Sequence, residues 1–339
     1  METSNFHDIS IFNTKLSLAL ITKKPVEVIL TDIDKNISYC KLLCKLTKGS
    51  KYTVKSNKLF FVPGILVGGT YDYKCTDEIF NYIISLLFIL PFSDKKTCIN
   101  FTGITDKDNS IDIIRIAYFK MLKIFSIPDL DLVVKKRGFY GQADAQGEVI
   151  FTCGTVKELK AIDLNKLEPL EKTRALLISA RLNSTYVHDM STKANELLNS
   201  YNFKVFTNIY NRTNSGPAPG FQCTLFSESK NGIFYATKDG GTYKPEEVVE
   251  EAVRILFKSI CRGGIYDYKL NNLLFILLAL SSTSVSCIQV SKLDELNKKT
   301  LNLLKDVFNF NYQLKKENGG ITFYSYGTGY INYNIKLLF

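Results

Sequence analysis

The sequence predicts an α+β fold in which three repeated αβ modules, each of two helices on a four-stranded sheet, form one large domain. A small αβ domain is inserted between the second and third modules. Three observations predict this. Gly68-Gly69-Thr70-Tyr71-Asp72-Tyr73-Lys74 reappears as Gly263-Gly264-Ile265-Tyr266-Asp267-Tyr268-Lys269, identical at all but one position. Each copy is followed by the same succession of apolar and amphipathic patterns. Residues 169–241 interrupt that rhythm. Modules this small cannot each bury both helices and sheet, so they are expected to share a core.

The first module lacks the glycine pair. It reads as a helix near 9–22, a strand Pro25–Thr31, a helix near 38–47, and strands at 51–56 and 58–62. The second has an apolar helix around 76–90 and a strand Cys98–Phe101. An amphipathic helix follows, with Ile111, Ile114, Tyr118, Met121, Leu122 and Phe125 at helical spacing. A strand ending Val134-Lys135-Lys136 and a glycine-flanked strand Gly147–Gly154 complete it. The third module repeats the order: a helix at 270–280, a strand Cys287–Val290, and a helix marked by Leu301, Leu304, Val307 and Phe308. Its last strands end in Leu314-Lys315-Lys316 and run from Gly320 to Gly327.

The insertion offers a strand Ala175–Leu182, a helix about 189–201 and a strand Phe203–Ile209. After a Gly/Pro loop at 216–220 come strands near 221–228 and 232–237. Pro245 with Glu246, Glu247, Glu250 and Glu251 marks a helix start, with acids at the positive end of the dipole. The chain is expected to re-enter the large domain there. The domains are then 1–168 with 242–339, and 169–241.

The 339 residues are 45% hydrophobic and 22% charged, which excludes a disordered chain. Histidine occurs only as His7 and His188, which argues against histidine-rich metal sites and most histidine-based catalysis. No metal and no cofactor is expected. Eight cysteines without a CxxC pair read as reduced thiols of an intracellular protein. Residues Met1–Asn5 carry no signal-peptide pattern. The longest apolar stretch, Ile79–Pro91, is interrupted by Asn81 and Ser85 and falls short of the about 20 residues a bilayer span needs. No membrane partner is expected. Lys and Arg number 43 against 33 Asp and Glu, and the resulting charge of +10 favours an acidic partner.

Several segments carry a family resemblance. Gly103-Ile104-Thr105 is followed by Asp108-Asn109-Ser110-Ile111-Asp112. Lys136-Arg137-Gly138-Phe139 precedes a turn, and Pro219-Gly220-Phe221 leads to Leu225 and Ser227-Glu228-Ser229. Arg262-Gly263-Gly264 opens the last repeat, and Gly327-Thr328-Gly329-Tyr330 closes it. In order and spacing this set resembles the RNA 3′-terminal phosphate cyclase family over residues 6–333. The three-repeat layout with its insertion is similar too.

The departures bear on activity. Active cyclases of that family adenylylate a histidine in a D-x-H-L segment after the R-G-G. The matching run here is Asp267-Tyr268-Lys269-Leu270, so Lys269 stands at the nucleophile position and no catalytic residue is assigned. A lysine amine attacks only when deprotonated. The glycine-rich phosphate-binding segment near the N-terminus is replaced by Asn5–Asn13, without glycine. The later triple-glycine turn is replaced by Gly141-Gln142-Ala143-Asp144-Ala145-Gln146-Gly147. His188 reads as an exposed or helix-capping residue, and His7 beside Asp8 is only weak evidence for an acid/base pair.

The pattern resembles the eukaryotic cyclase-like branch of the family. That resemblance implies a non-catalytic pseudo-enzyme in small ribosomal subunit biogenesis, supporting early pre-rRNA processing within the processome of the nucleolus. Its implied partners are a ribosome-assembly GTPase, pre-ribosomal RNA and small nucleolar ribonucleoprotein, with no small-molecule substrate. The alternatives are an active RNA 3′-phosphate cyclase or a pre-rRNA endonuclease using non-histidine residues, and a small-molecule transferase related through the repeated module. Lys135, Lys136, Arg137, Arg262, Lys315 and Lys316 are the candidates for RNA or partner contact, with nearby tyrosines available to stack on unpaired bases.

Overall fold

The computed structural model describes residues 2–30, 32–141, 145–317 and 320–335, with backbone only at 2–9 and 317. The first module comprises α1 (Glu2–Thr22), β1 (Val26–Ile29), α2 (Ile33–Lys45), β2 (Thr47–Lys48), β3 (Lys51–Lys55), β4 (Lys58–Val62) and β5 (Ile65–Leu66). Asp32 starts α2 by accepting the Lys35 N–H at 3.2 Å, satisfying an amide that the first turn leaves open. β4 alternates as a half-buried strand should: Leu59 and Phe61 are buried, while Phe60 and Val62 face solvent. The sheet order is β1-β4-β3, antiparallel throughout, and β2 pairs with β5.

The second module runs β6 (Gly69–Glu78), α3 (Ile79–Leu86), β7 (Thr97–Ile104), a π-turn Ile114–Tyr118 leading into α4 (Phe119–Ile124), β8 (Asp131–Lys136) and β9 (Gly147–Cys153). Its sheet order is β6-β7-β9-β8, with β6 parallel to β7. A short strand, β10 (Asp163–Leu164), leaves for the third module.

The inserted unit comprises β11 (Lys172–Ala180), α5 (Thr185–Leu198), β12 (Phe203–Tyr210), β13 (Gly220–Glu228), β14 (Ile233–Asp239) and α6 (Pro245–Ile260), with sheet order β12-β11-β13-β14. The third module is α7 (Asn271–Leu280), β15 (Val285–Val290), α8 (Glu295–Phe308), β16 (Tyr312–Glu317) and β17 (Gly320–Tyr326). Its sheet, β10-β15-β17-β16, has the same plan as that of the second module, with β10 parallel to β15.

The protein is therefore mixed α and β, with the helix–strand–helix–strand–strand order present in all three modules. Two expectations need correction. In the first module the sheet has three strands among the described residues, because no counterpart of β6 or β10 lies beside β1 there. The chain also does not rejoin the large domain at Pro245. Val248, Val249, Ala252 and Leu256 of α6 pack with Leu177, Met190, Cys223 and Ala236 in the inserted unit's own core. An amphipathic helix follows the nearest uncovered apolar sheet face, and that face belongs to β13 and β14.

One continuous core joins the three modules, including Leu16 and Tyr39 of the first, Ile83 and Phe101 of the second, and Leu274 and Phe323 of the third. Phe275 stacks on Phe323 with ring centroids 4.7 Å apart. Helix α7 is buried from Leu273 through Leu280, as its apolar sequence requires. Among the described residues no helix is long and apolar enough to cross a membrane.

The repeated heptapeptide adopts two structures. Residues 69–74 form strand β6 in register with β7, Gly69 opposite Thr97 and Asp72 opposite Asn100. Residues 263–269 form a turn and a 3-10 helical turn, with Gly263 and Gly264 at φ of +70° and +89°. A Cβ on Gly264 would lie 2.3 Å from the Ser291 nitrogen, so the backbone there needs glycine for space and for conformation.

Candidate functional site

Helices α1, α3 and α7, the start of α8, and β14 of the inserted unit meet around a cavity of about 250 Å³. The 3-10 turn that begins at Tyr268 presents Lys269 at its wall. Asp267, fully buried, organises this turn: Oδ1 accepts the Lys269 N–H at 3.1 Å, and Oδ2 accepts the Tyr235 N–H at 3.1 Å and the Ser259 hydroxyl at 2.5 Å.

The Lys269 amine donates to the Tyr235 carbonyl at 2.8 Å and lies 3.4 Å from Asp267 Oδ2. It also sits 4.1 Å from the centre of the Tyr235 ring, a favourable cation–π placement. These contacts tie the third module to the inserted sheet. Arg262 stacks 3.9 Å over the Tyr268 ring beside it.

The rest of the wall mixes apolar Phe80, Ile84, Leu273 and Leu296 with polar side chains and the acidic Asp294. Asn13 from α1 is buried, and its Oδ1 has no hydrogen-bond partner among the described residues. Asn81, Asn109 and Asn272 also line the cavity. Tyr118, placed by the π-turn, and Tyr235 share a hydroxyl–hydroxyl hydrogen bond, and burial pushes the Tyr118 pKa up. Glu78, where β6 passes into α3, accepts from the Asn109 N–H at 3.2 Å and from its amide group at 3.3 Å. Burial, reinforced by Asp108 and Asp77, raises the Glu78 carboxyl to about 8. Sequence reading missed Glu78; the signal was an acid placed directly before an apolar helix.

The motif residues divide into two groups. Arg137 is 1% exposed: it pairs with Asp106 at 3.0 Å and Asp112 at 2.8 Å, and donates to the Tyr210 hydroxyl at 3.1 Å. Although burial opposes its charge, Asp106 and Asp112 hold its pKa well above the ordinary value. Arg137 is therefore not an RNA contact. It is the staple between β8 and the inserted unit, where Asn214 accepts its N–H and Gly216 donates to its carbonyl. The cluster Thr105, Asp106, Ser110 and Asp112 exists to satisfy it.

Lys135 and Lys136 end β8, and Lys315 and Lys316 precede Glu317, the last residue of β16. These are the equivalent outer strands of two sheets. Lys51 and Lys55 occupy the third such strand, β3. All but the half-buried Lys136 are exposed. Edge lysines also discourage strand-to-strand aggregation. His188 is exposed on α5, whereas the side chain of His7 and residues Gln142–Asp144 lie outside the described residues.

A shared core of three αβ modules, an inserted αβ unit, and a cleft closed by the turn after a glycine pair define the class to which this chain belongs. The sequence pattern of RNA 3′-terminal phosphate cyclases matches residues 6–314, and the chain belongs to that family. Among curated relatives, the human RNA 3′-terminal phosphate cyclase-like protein is 27% identical over 304 residues, 85% of this chain and 81% of the relative. The rRNA processing protein rcl1 of Schizosaccharomyces pombe is 28% identical over 321 residues, 90% and 88% of the two chains.

Among solved structures, the enolpyruvyl transferase NikO from Streptomyces tendae overlaps at TM-score 0.29 with 11% identity, over 61% of this chain and 39% of that one. An EPSP synthase from Acinetobacter baumannii overlaps at TM-score 0.30 with 8% identity, over 96% and 63%. Overlaps this low decide nothing about chemistry.

Proposed function

We propose that this chain is a non-catalytic cyclase-like factor in rRNA processing, acting in early small-subunit assembly within the nucleolar processome. The observation that carries this reading is the state of Lys269. At the family's nucleophile position it is held between a carbonyl and a buried carboxylate, as a structural donor. The rRNA processing named for the Schizosaccharomyces pombe relative supports the pathway. Lys135, Lys136, Lys315 and Lys316 on sheet edges, with Arg262, are the basic residues proposed for RNA or partner contact, whereas Arg137 is buried. Pre-ribosomal RNA with its small nucleolar ribonucleoprotein and an assembly GTPase are the partners proposed.

Two measurements test the reading. Incubation with labelled ATP is expected to give no covalent adenylylation, and a labelled chain that loses its label in Lys269→Ala would overturn it. Purification from native cells at moderate salt is expected to recover a GTPase and pre-ribosomal RNA; recovery of the bare chain would also overturn it.

A further inference from the structure

A second cleft, of about 330 Å³, lies between the loops of the second module and the open end of the inserted sheet. The Lys-Arg-Gly-Phe and Pro-Gly-Phe motifs both end in it, and the site around Lys269 uses neither. Its volume sits at the low end of ligand pockets, which span roughly 300–1,000 Å³.

The walls are aromatic. Tyr140 is 59% exposed, with the Lys107 ammonium 4.5 Å from its ring centre. Tyr186 and Phe221 lie across from it, their rings 5.1 Å apart. Glycines let these rings press on backbone: a Cβ on Gly220 would meet the Phe139 ring at 2.4 Å, and one on Gly240 would meet Phe221 at 2.3 Å. The Arg137 staple fixes the two sides relative to one another.

Two acidic groups break the apolar lining, Asp106, which is paired with Arg137, and Asp239. Asp239 is half-buried at the end of β14 and makes no ion pair with another described side chain, although Lys107 and Lys238 lie near enough to act on it. Beside it in the ladder, Gln222 is fully buried with Oε1 unpartnered among the described residues. A cleft with exposed tyrosine, a lysine at its rim and one available carboxylate fits a flat heterocycle that carries hydrogen-bond donors. Of the four RNA bases, guanine alone offers two adjacent donors, N1–H and N2–H, to a carboxylate.

We propose that this cleft receives an unpaired guanine of single-stranded RNA, stacked on Tyr140 and donating N1–H and N2–H to Asp239. Lys107 neutralises the adjoining phosphate. The inference rests on the RNA-processing reading above.

The test uses the full chain and fluorescent oligouridylates carrying one central guanosine, inosine or adenosine, followed by anisotropy. The guanosine oligomer binds about tenfold tighter than oligouridylate, the order expected of a bidentate base contact. Inosine, lacking N2–H, loses most of that gain. Asp239→Ala abolishes the guanosine preference, and Tyr140→Ala weakens every oligomer by about tenfold through lost stacking. Tyr140 is exposed, so its replacement leaves the core intact. Equal binding of all oligomers, or a preference that survives Asp239→Ala, overturns the guanine site while leaving the RNA role standing. An absence of RNA binding even at low salt overturns both.

Discussion

The Arg137 guanidinium lies 4.9 Å above the Tyr210 ring and also donates to the Tyr210 hydroxyl, so one buried cation joins the residue that follows β8 to the inserted sheet. The same nitrogen, Nη2, also pairs with Asp112, Nη1 pairs with Asp106, and Nε has no hydrogen-bond partner among the described residues. Replacing it by leucine strands two buried carboxylates, and the expected loss is about 3–5 kcal/mol. Tyr210→Phe removes one hydrogen bond to the charged group and costs about 1.5–3 kcal/mol. Urea unfolding of both variants checks this, and a smaller loss in Arg137→Leu than in Tyr210→Phe would contradict it.

The two glycines after Arg262 are expected to differ. Both need positive φ, but Gly263 faces open space and Gly264 faces the Ser291 backbone. Gly263→Ala should cost only the conformational term, about 1–2 kcal/mol. Gly264→Ala adds a backbone clash and should cost more. Thermal unfolding of the pair measures the difference.

Glu78 predicts a pH dependence. Its folded pKa, about 8, lies above the ordinary carboxylate value of 4.5, so the folded chain holds a proton that the unfolded chain releases. The associated stability is fully present below 4.5 and is lost as pH rises through about 8. In that window the slope approaches about 1.4 kcal/mol per pH unit. Glu78→Gln keeps an acceptor for Asn109 and removes the slope. Unfolding free energies measured across the window for both chains decide the matter.

For the edge lysines the reading is electrostatic. Lys315→Ala with Lys316→Ala should lower the log–log salt slope of single-stranded RNA binding by about 1.4, from two phosphates at about 0.7 each. An unchanged slope assigns them to edge protection alone.

The non-catalytic reading proposed above predicts that Lys269→Ala leaves pre-rRNA processing intact in cells, since the contacts of the amine are with Tyr235 and Asp267. Accumulation of uncleaved precursor in a folded variant would count against the non-catalytic reading.

The repeat was legible in the chain because helices and strands announce themselves through the spacing of apolar residues, and Ile79–Leu86, Asn271–Leu280 and Gly147–Cys153 all fall where that spacing put them. The family was legible too, through motifs whose order survives divergence. Tertiary structure alone decided how those motifs are used. Heptapeptides that differ at one position became a strand beside β7 and a turn against Ser291, since neighbouring backbone and not local sequence supplied their hydrogen-bond partners. Arg137 and Lys136 are adjacent in sequence, yet one is locked among carboxylates and the other ends an edge strand. Charge in a sequence has sign but no location. Burial and the company of Asp106 and Asp112 turned a predicted RNA contact into the staple that holds two domains in place.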